Sequence, residues 1–127
     1  MRTPPWNDSE NEALVALYFE MLDYAIPAKQ YSKAGMIRDA IGPVPGLEAP
    51  AVRQHHRPYF SALCNRTRGS IEFKLMNATA AHADLGGAIT MDTFGYRALP
   101  NYQAALKDAM FNELRARDNR LAVEHGA

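Results

Sequence analysis

Behind Asn7-Asp8-Ser9-Glu10, apolar residues recur at Leu14, Leu17, Tyr18, Met21, Leu22 and Ala25, and Pro27 follows. The spacing is that of one helical face. Asn7 is placed to cap the start, and Glu10, three residues on, to reach back to it in a capping box. Pro27 ends the run, because proline disfavours a helical residue before it and cannot itself continue a helix. A long helix with one apolar face has to be covered, and this requirement points to a helical fold. Tyr18, Phe19 and Tyr24 fall in the same region, where the spacing assigns them to the core rather than to a stacking surface.

The rest of the chain repeats the pattern in shorter form. Ser32 is placed to cap a helix over 33–41, closed by Gly42-Pro43. Residues 43–58 hold too much proline for a helix interior or a strand and read as a surface loop. Pro58 suits the first turn of a helical segment running to Cys64, and residues 51–57 either form a separate turn or join that segment through a kink. Gly69-Ser70 is expected to start the next helix. Ile71, Leu75, Ala78, His82 and Leu85 form its apolar stripe, Lys74, Asn77, Ala81 and Asp84 lie off the stripe, and Gly86-Gly87 stops it. Residues 88–98 are irregular, with room for at most one short β element. Pro100-Asn101 precedes a last helix, with Tyr102, Leu106, Met110 and Leu114 four apart and a tail at 122–127 expected to fray. The expectation is an all-α single domain over 1–127, with four to five helices and a helix-turn-helix-like core.

Length and composition fit one soluble domain with a real core. No apolar run approaches the roughly 20 residues needed to span a bilayer, so no membrane partner is expected. A single cysteine, Cys64, excludes an internal disulfide, and with no secretory-type leader a cytoplasmic location is expected. Cys64 itself reads as a small buried hydrophobe. The zero net charge hides an uneven layout: net −4 over residues 1–28, +5 over 29–74 and −1 over the remainder. A local basic segment of this kind would suit a small nucleic-acid footprint, although a merely solvated basic face is the plainer reading.

Within that basic segment, Arg66 and Arg68 stand just ahead of the Gly69-Ser70 helix start. Helix starts expose unpaired N–H groups and the positive end of the helix dipole, so adjacent cations there would make a cradle for phosphate. In a helix-turn-helix across Asn65–Gly69, Lys74, Asn77 and Thr79 would be the groove-facing polar residues, and asparagine pairs well with adenine. Phe73 and Met76 share that arc, so the helix would alternatively bury both faces and leave only its cationic start outside. The expected nucleic-acid-binding residues are Arg66, Arg68, Ser70, Lys74 and Asn77, with Lys33 and Arg38 beside them and Arg53, His55, His56 and Arg57 as an accessory basic arm.

Other chemistries find less support. His55-His56 with Cys64 lacks metal-ligand spacing, so no metal or other cofactor is expected. His82 lies on an apolar stripe and reads as a hydrogen-bonded core residue. Glu10, Glu12 and Glu20 are spread along a solvated helix, and no nucleophile with a positioned base is discernible, so no catalytic residues and no enzymatic activity are expected.

The series Trp6…Glu10, Ala13–Leu22, Tyr31-Ser32-Lys33-Ala34, Arg38, Arg68–Lys74, Asn77, Leu85-Gly86, Gly95-Tyr96-Arg97 and Asn101-Tyr102-Gln103 resembles a module of bacterial multidomain proteins. That module stands at their N-terminus, often ahead of HNH-type or other restriction-associated domains, and the match spans about residues 6–115. The resemblance implies an accessory, DNA-facing role in a defence or restriction-like system. This chain differs at Met36-Ile37 and at Leu75-Met76, where the family usually carries polar pairs, and the segment around Arg53–Arg57 looks inserted. The expected function is therefore a DNA-binding or DNA-associated accessory module with DNA as partner. The alternative is a protein-interaction module, with residues 101–121 docking on a partner or a second copy.

Overall fold

A computed structural model describes residues 5–41, 62–64 and 66–124, with side-chain environments for all of these except 39–41 and 120–124. It is all-α: α1 (Asp8–Ala25), α2 (Lys33–Ile41), α3 (Arg68–Asp84) and α4 (Ala104–Glu124), with a 3-10 turn at Met91–Phe94. No strand occurs among the described residues. None of their helices is long and apolar enough to cross a membrane.

The capping box of α1 is formed in full. Asn7 accepts from the Glu10 amide at 2.8 Å, and the Asn7 amide donates to the Glu10 carboxylate at 3.0 Å. Leu14, Leu17, Tyr18, Met21 and Leu22 are buried, joined by Ala13, Val15, Phe19 and Ala25. So many buried positions exceed one stripe, and the reason is that α1 packs against α2, α3 and α4 together. Tyr24 departs from the expected aromatic core: it is 38% exposed and stacks on Tyr31 at 6.3 Å. α2 occupies the expected residues, with Ser32 Oγ accepting from the Gly35 amide.

Contacts at both ends fix the helix directions. α1 and α3 meet at Glu10 with Arg66 just before α3, and again at Tyr18 with His82. α1 and α4 share a shallow groove lined by Asp8, Glu12, Ala105 and Asp108, and meet again at Asp23 with Arg117. All three therefore run the same way. Parallel neighbours need a long return path, and residues 85–103 supply the one from α3 to α4. That return is held along its length: the Leu99 amide donates to the Met76 carbonyl, and the Asn77 side chain donates to the Leu99 carbonyl at 2.9 Å.

The start of α3 lies earlier than the sequence suggests. Thr67 is the cap, its Oγ1 accepting from the Ser70 amide at 3.1 Å, so Gly69 and Ser70 belong to the first turn. Threonine is among the preferred N-cap residues and caps with an extended backbone, and here φ is −80° and ψ 159°. The expected irregular stretch at 88–98 holds the 3-10 turn, capped by Thr90 and closed by Gly95 at φ +107°, a conformation that favours glycine. In α4, Leu106 and Met110 are buried in the core with Tyr102 and Leu114 packed against it, and the helix continues to Glu124. The α4 stripe proposed for docking on a partner is thus used internally.

One core residue is energetically out of place. Asn11 is fully buried on α1, and neither its Oδ1 nor its Nδ2 has a hydrogen-bond partner. An unsatisfied buried amide costs about 1–3 kcal/mol, whereas leucine has nearly the same shape and no polar atom. Asn11→Leu is expected to raise the melting temperature by about 3–8 °C, measured by calorimetry. A fall in melting temperature would mean that the amide is hydrated or bonded in solution.

Candidate functional site

The two arginines that define the expected phosphate cradle are separated by the fold. Arg66 is 7% exposed and faces inward: its Nε donates to Glu10 Oε2 at 2.5 Å, and its Nη2 donates to Glu10 Oε1 at 2.7 Å and to the Pro5 carbonyl at 3.0 Å. This is a bidentate buried ion pair, in which the Glu10 carboxylate also serves the α1 cap. The Arg66 hydrogen bond holds the Glu10 carboxyl below its usual range, against the opposing effect of burial, and the same bond raises Arg66 further. Arg66 is therefore a structural residue, and the expectation that it faces solvent beside Arg68 is corrected. Glu10, expected on a solvated face, is corrected with it. Sequence spacing could not reveal this pairing, because the partners lie 56 residues apart.

Around this pair the chain gathers several residues that carry the family resemblance. Trp6 lies between two cations, with the Arg66 guanidinium 4.9 Å and the Lys74 ammonium 5.4 Å from its ring centroid. Lys74 donates to Gln103 Oε1 at 3.1 Å. Burial lowers the Lys74 pKa, and the nearby Arg66 charge lowers it again. Lys74 thus fastens the segment leading into α4 to α3 and is half-buried, rather than a free contact for phosphate or base. Asn77 is corrected in the same way. It is buried, and its amide donates to the Leu99 carbonyl instead of facing a groove. Thr79 is likewise buried and donates back to the Leu75 carbonyl. The groove-reading face proposed for α3 is turned into the protein because α1, α2, α4 and the 3-10 turn all pack on this helix.

Lys33 is also engaged: its Nζ donates to the Phe94 carbonyl at 2.5 Å and lies 4.9 Å from the Tyr96 ring centroid. Burial is the main cause pushing the Tyr96 hydroxyl up to about 12. Lys33 thus pins α2 to the 3-10 turn. Arg38 is exposed. Arg53, His55, His56 and Arg57 lie outside the described residues, as does Asn65.

What remains open to solvent is the outward arc of α3's first half. Arg68 has a side chain 63% exposed, paired only loosely with Glu72 at 3.3 Å. Such exposed i,i+4 pairs contribute about 0.3–0.5 kcal/mol. Phe73 is 55% exposed, and a Cβ added at Gly69 would meet nothing. At about 100° per residue, positions 68, 72, 69 and 73 fall within one arc of roughly 140°, while Met76, in the same arc a turn further on, packs against the core. Ser70, expected among the nucleic-acid-binding residues, is a first-turn residue beside that arc.

His82 is a core histidine, as its position on the stripe suggested. It is 5% exposed and bonded to the Tyr18 hydroxyl at 2.8 Å. Cys64 is exposed, contrary to its expected burial. No cluster of three or more His, Cys, Asp or Glu suited to a metal ion occurs among the described residues. An open groove of about 560 Å³ between α1 and α4 is lined by Phe19, Glu20, Asp23, Lys29, Glu113 and Arg117. Arg117 is already bound to Asp23 at 2.6 Å there.

No protein-family model matches this chain, and comparison with curated proteins and with solved structures likewise found no match.

Proposed function

We propose that this chain is a non-catalytic helical docking module that binds another polypeptide through the outward arc of α3's first half. The observation that carries this reading is Phe73: the most exposed large hydrophobic side chain among the described residues, it shares its arc with Arg68 and the open Gly69. Aromatic residues and arginine are the side chains most enriched where proteins dock on proteins. DNA backbone affinity, by contrast, scales with the number of phosphates neutralised. Arg66 is spent on Glu10, while Lys33 and Lys74 are held against the protein's own groups.

Arg68 at an open helix start, with Arg38 also exposed, favours a second reading: DNA contact as an accessory role in the restriction-like setting that the resemblance implies. A diazirine-bearing residue at position 73 separates the two, with the same label at exposed position 83 as control. Irradiation of cells expressing the labelled chain should give a discrete, protease-sensitive and nuclease-resistant adduct from position 73 alone. A nuclease-sensitive adduct transfers the assignment to DNA, and equal labelling from positions 73 and 83 removes the arc as a site.

A further inference from the structure

The return from α3 to α4 is fastened to α1 at the Tyr18 hydroxyl, which the buried imidazole of His82 also contacts. The Met91 amide donates to the Tyr18 hydroxyl oxygen at 3.2 Å, and the Tyr18 hydroxyl meets His82 Nδ1 at 2.8 Å. A neutral imidazole with its proton on Nε2 accepts the Tyr18 hydroxyl proton at Nδ1 in this geometry. Gly87 closes the other side: its amide donates to the His82 carbonyl at 2.9 Å, and a Cβ there would overlap the imidazole ring. The Tyr96 amide in turn donates to the Met91 carbonyl, and Phe94 and Tyr96 hold Lys33 of α2.

We propose that His82 is a proton-operated latch: the imidazole is held neutral beneath Gly87 and against the Tyr18 hydroxyl, and a proton on it creates a buried, unpaired cation that frees residues 87–96 from α1 before the helical core itself opens. The surroundings offer the new charge no counter-ion. From α1 come the Tyr18 hydroxyl and the Phe19 ring, 5.3 Å away between centroids. From α4 comes Arg117, a cation lying over Phe19 at 4.5 Å and bound to Asp23 of α1. Asp84, the near acid on α3 itself, is exposed and accepts from Tyr102, and Asp92 of the 3-10 turn is exposed. Burial, and then Arg117, lower the His82 pKa from its ordinary 6.5. The neutral imidazole therefore favours the closed state fully above pH 6.5, and that preference is lost progressively as pH falls from 6.5 toward the lowered value. The consequence is a segment that opens on acidification and loosens the anchorage of α2.

Amide hydrogen exchange on the full chain at about pH 7.5 and about pH 5 tests the latch. After division by intrinsic rates, opening at Gly87, Met91 and Tyr96 should rise roughly tenfold to thirtyfold at the lower pH. Amides within α1 should change far less. His82→Gln keeps a polar side chain without the titration and should abolish the rise. If that variant fails to fold, the ring nitrogen shifts of wild-type His82 carry the test, with a midpoint below 6.5 at the acid end of the pH range over which protection is lost. An equal rise in His82→Gln, a rise spread evenly over α1 and α4, or unchanged protection at residues 87–96 would overturn the proposal.

Discussion

Arg66→Ala should lower folding stability by about 3–5 kcal/mol, because it leaves the Glu10 carboxylate buried without its cation. The loss spreads beyond the pair. Glu10 also completes the α1 capping box, Arg66 holds the Pro5 carbonyl, and Trp6 loses one of its two cationic neighbours. In urea the transition midpoint should fall sharply, with the helical circular dichroism at zero denaturant as the check on residual fold. Arg68→Ala is the control. Its exposed partner pair is worth a few tenths of a kcal/mol at most, so its midpoint should match wild type within about 0.5 kcal/mol. Two arginines two residues apart therefore differ about tenfold in energetic weight. Equal midpoints for the two variants would mean that the Glu10 pair is absent in solution.

The same pair gives the protein an acid limit. Glu10 titrates below its ordinary value of 4.5 in the folded chain, chiefly because Arg66 hydrogen-bonds its charged form. A carboxylate with a lowered folded pKa contributes its full stability above the unfolded value and loses it as pH falls through the folded one. Wild-type stability should therefore decline below about pH 4.5 more steeply than that of a Glu10→Gln, Arg66→Met double variant, read from urea midpoints along the pH series.

How much of this was legible beforehand depends on the range of the interaction. The α1 cap, the limits of α2, the stop after α3 and the core role of His82 follow from short spacings and turn residues, and the structure contains each of them. The Arg66-x-Arg68 pattern looked like a surface cradle because two cations before a helix are indistinguishable, by spacing, from one buried and one exposed. What separates them is Glu10, on another helix. Asn77, Lys74 and Lys33 failed as surface residues for the same reason, since each is claimed by a carbonyl or amide in the 94–103 return. Much of what makes the central block distinctive in sequence is thus the bonding that ties that return to α2 and α3. Phe73 and Arg68 are left outward, whereas in sequence Phe73, sharing its arc with Met76, points to the alternative of a helix buried on both faces.

Gly87→Ala should be strongly damaging for so conservative a change, costing about 2–4 kcal/mol for a single methyl group. Backbone conformation is not the cause, because Gly87 is not among the positive-φ glycines, Gly86 and Gly95. The cause is His82: the added carbon would lie far inside contact distance of the ring. The ring is buried and bonded to Tyr18, so it cannot swing aside without breaking that bond and leaving a polar atom unsatisfied. The clash makes a distinctive prediction about coupling. His82→Ala alone removes a buried ring and should itself destabilise, yet in that background Gly87→Ala should cost less than about 0.5 kcal/mol, since the methyl then enters the space the ring vacated. A double-mutant cycle on thermal or urea midpoints measures the difference directly. Additive losses would show that the turn at 86–87 does not pack on the imidazole, and the latch built on that contact would lose its outer jaw.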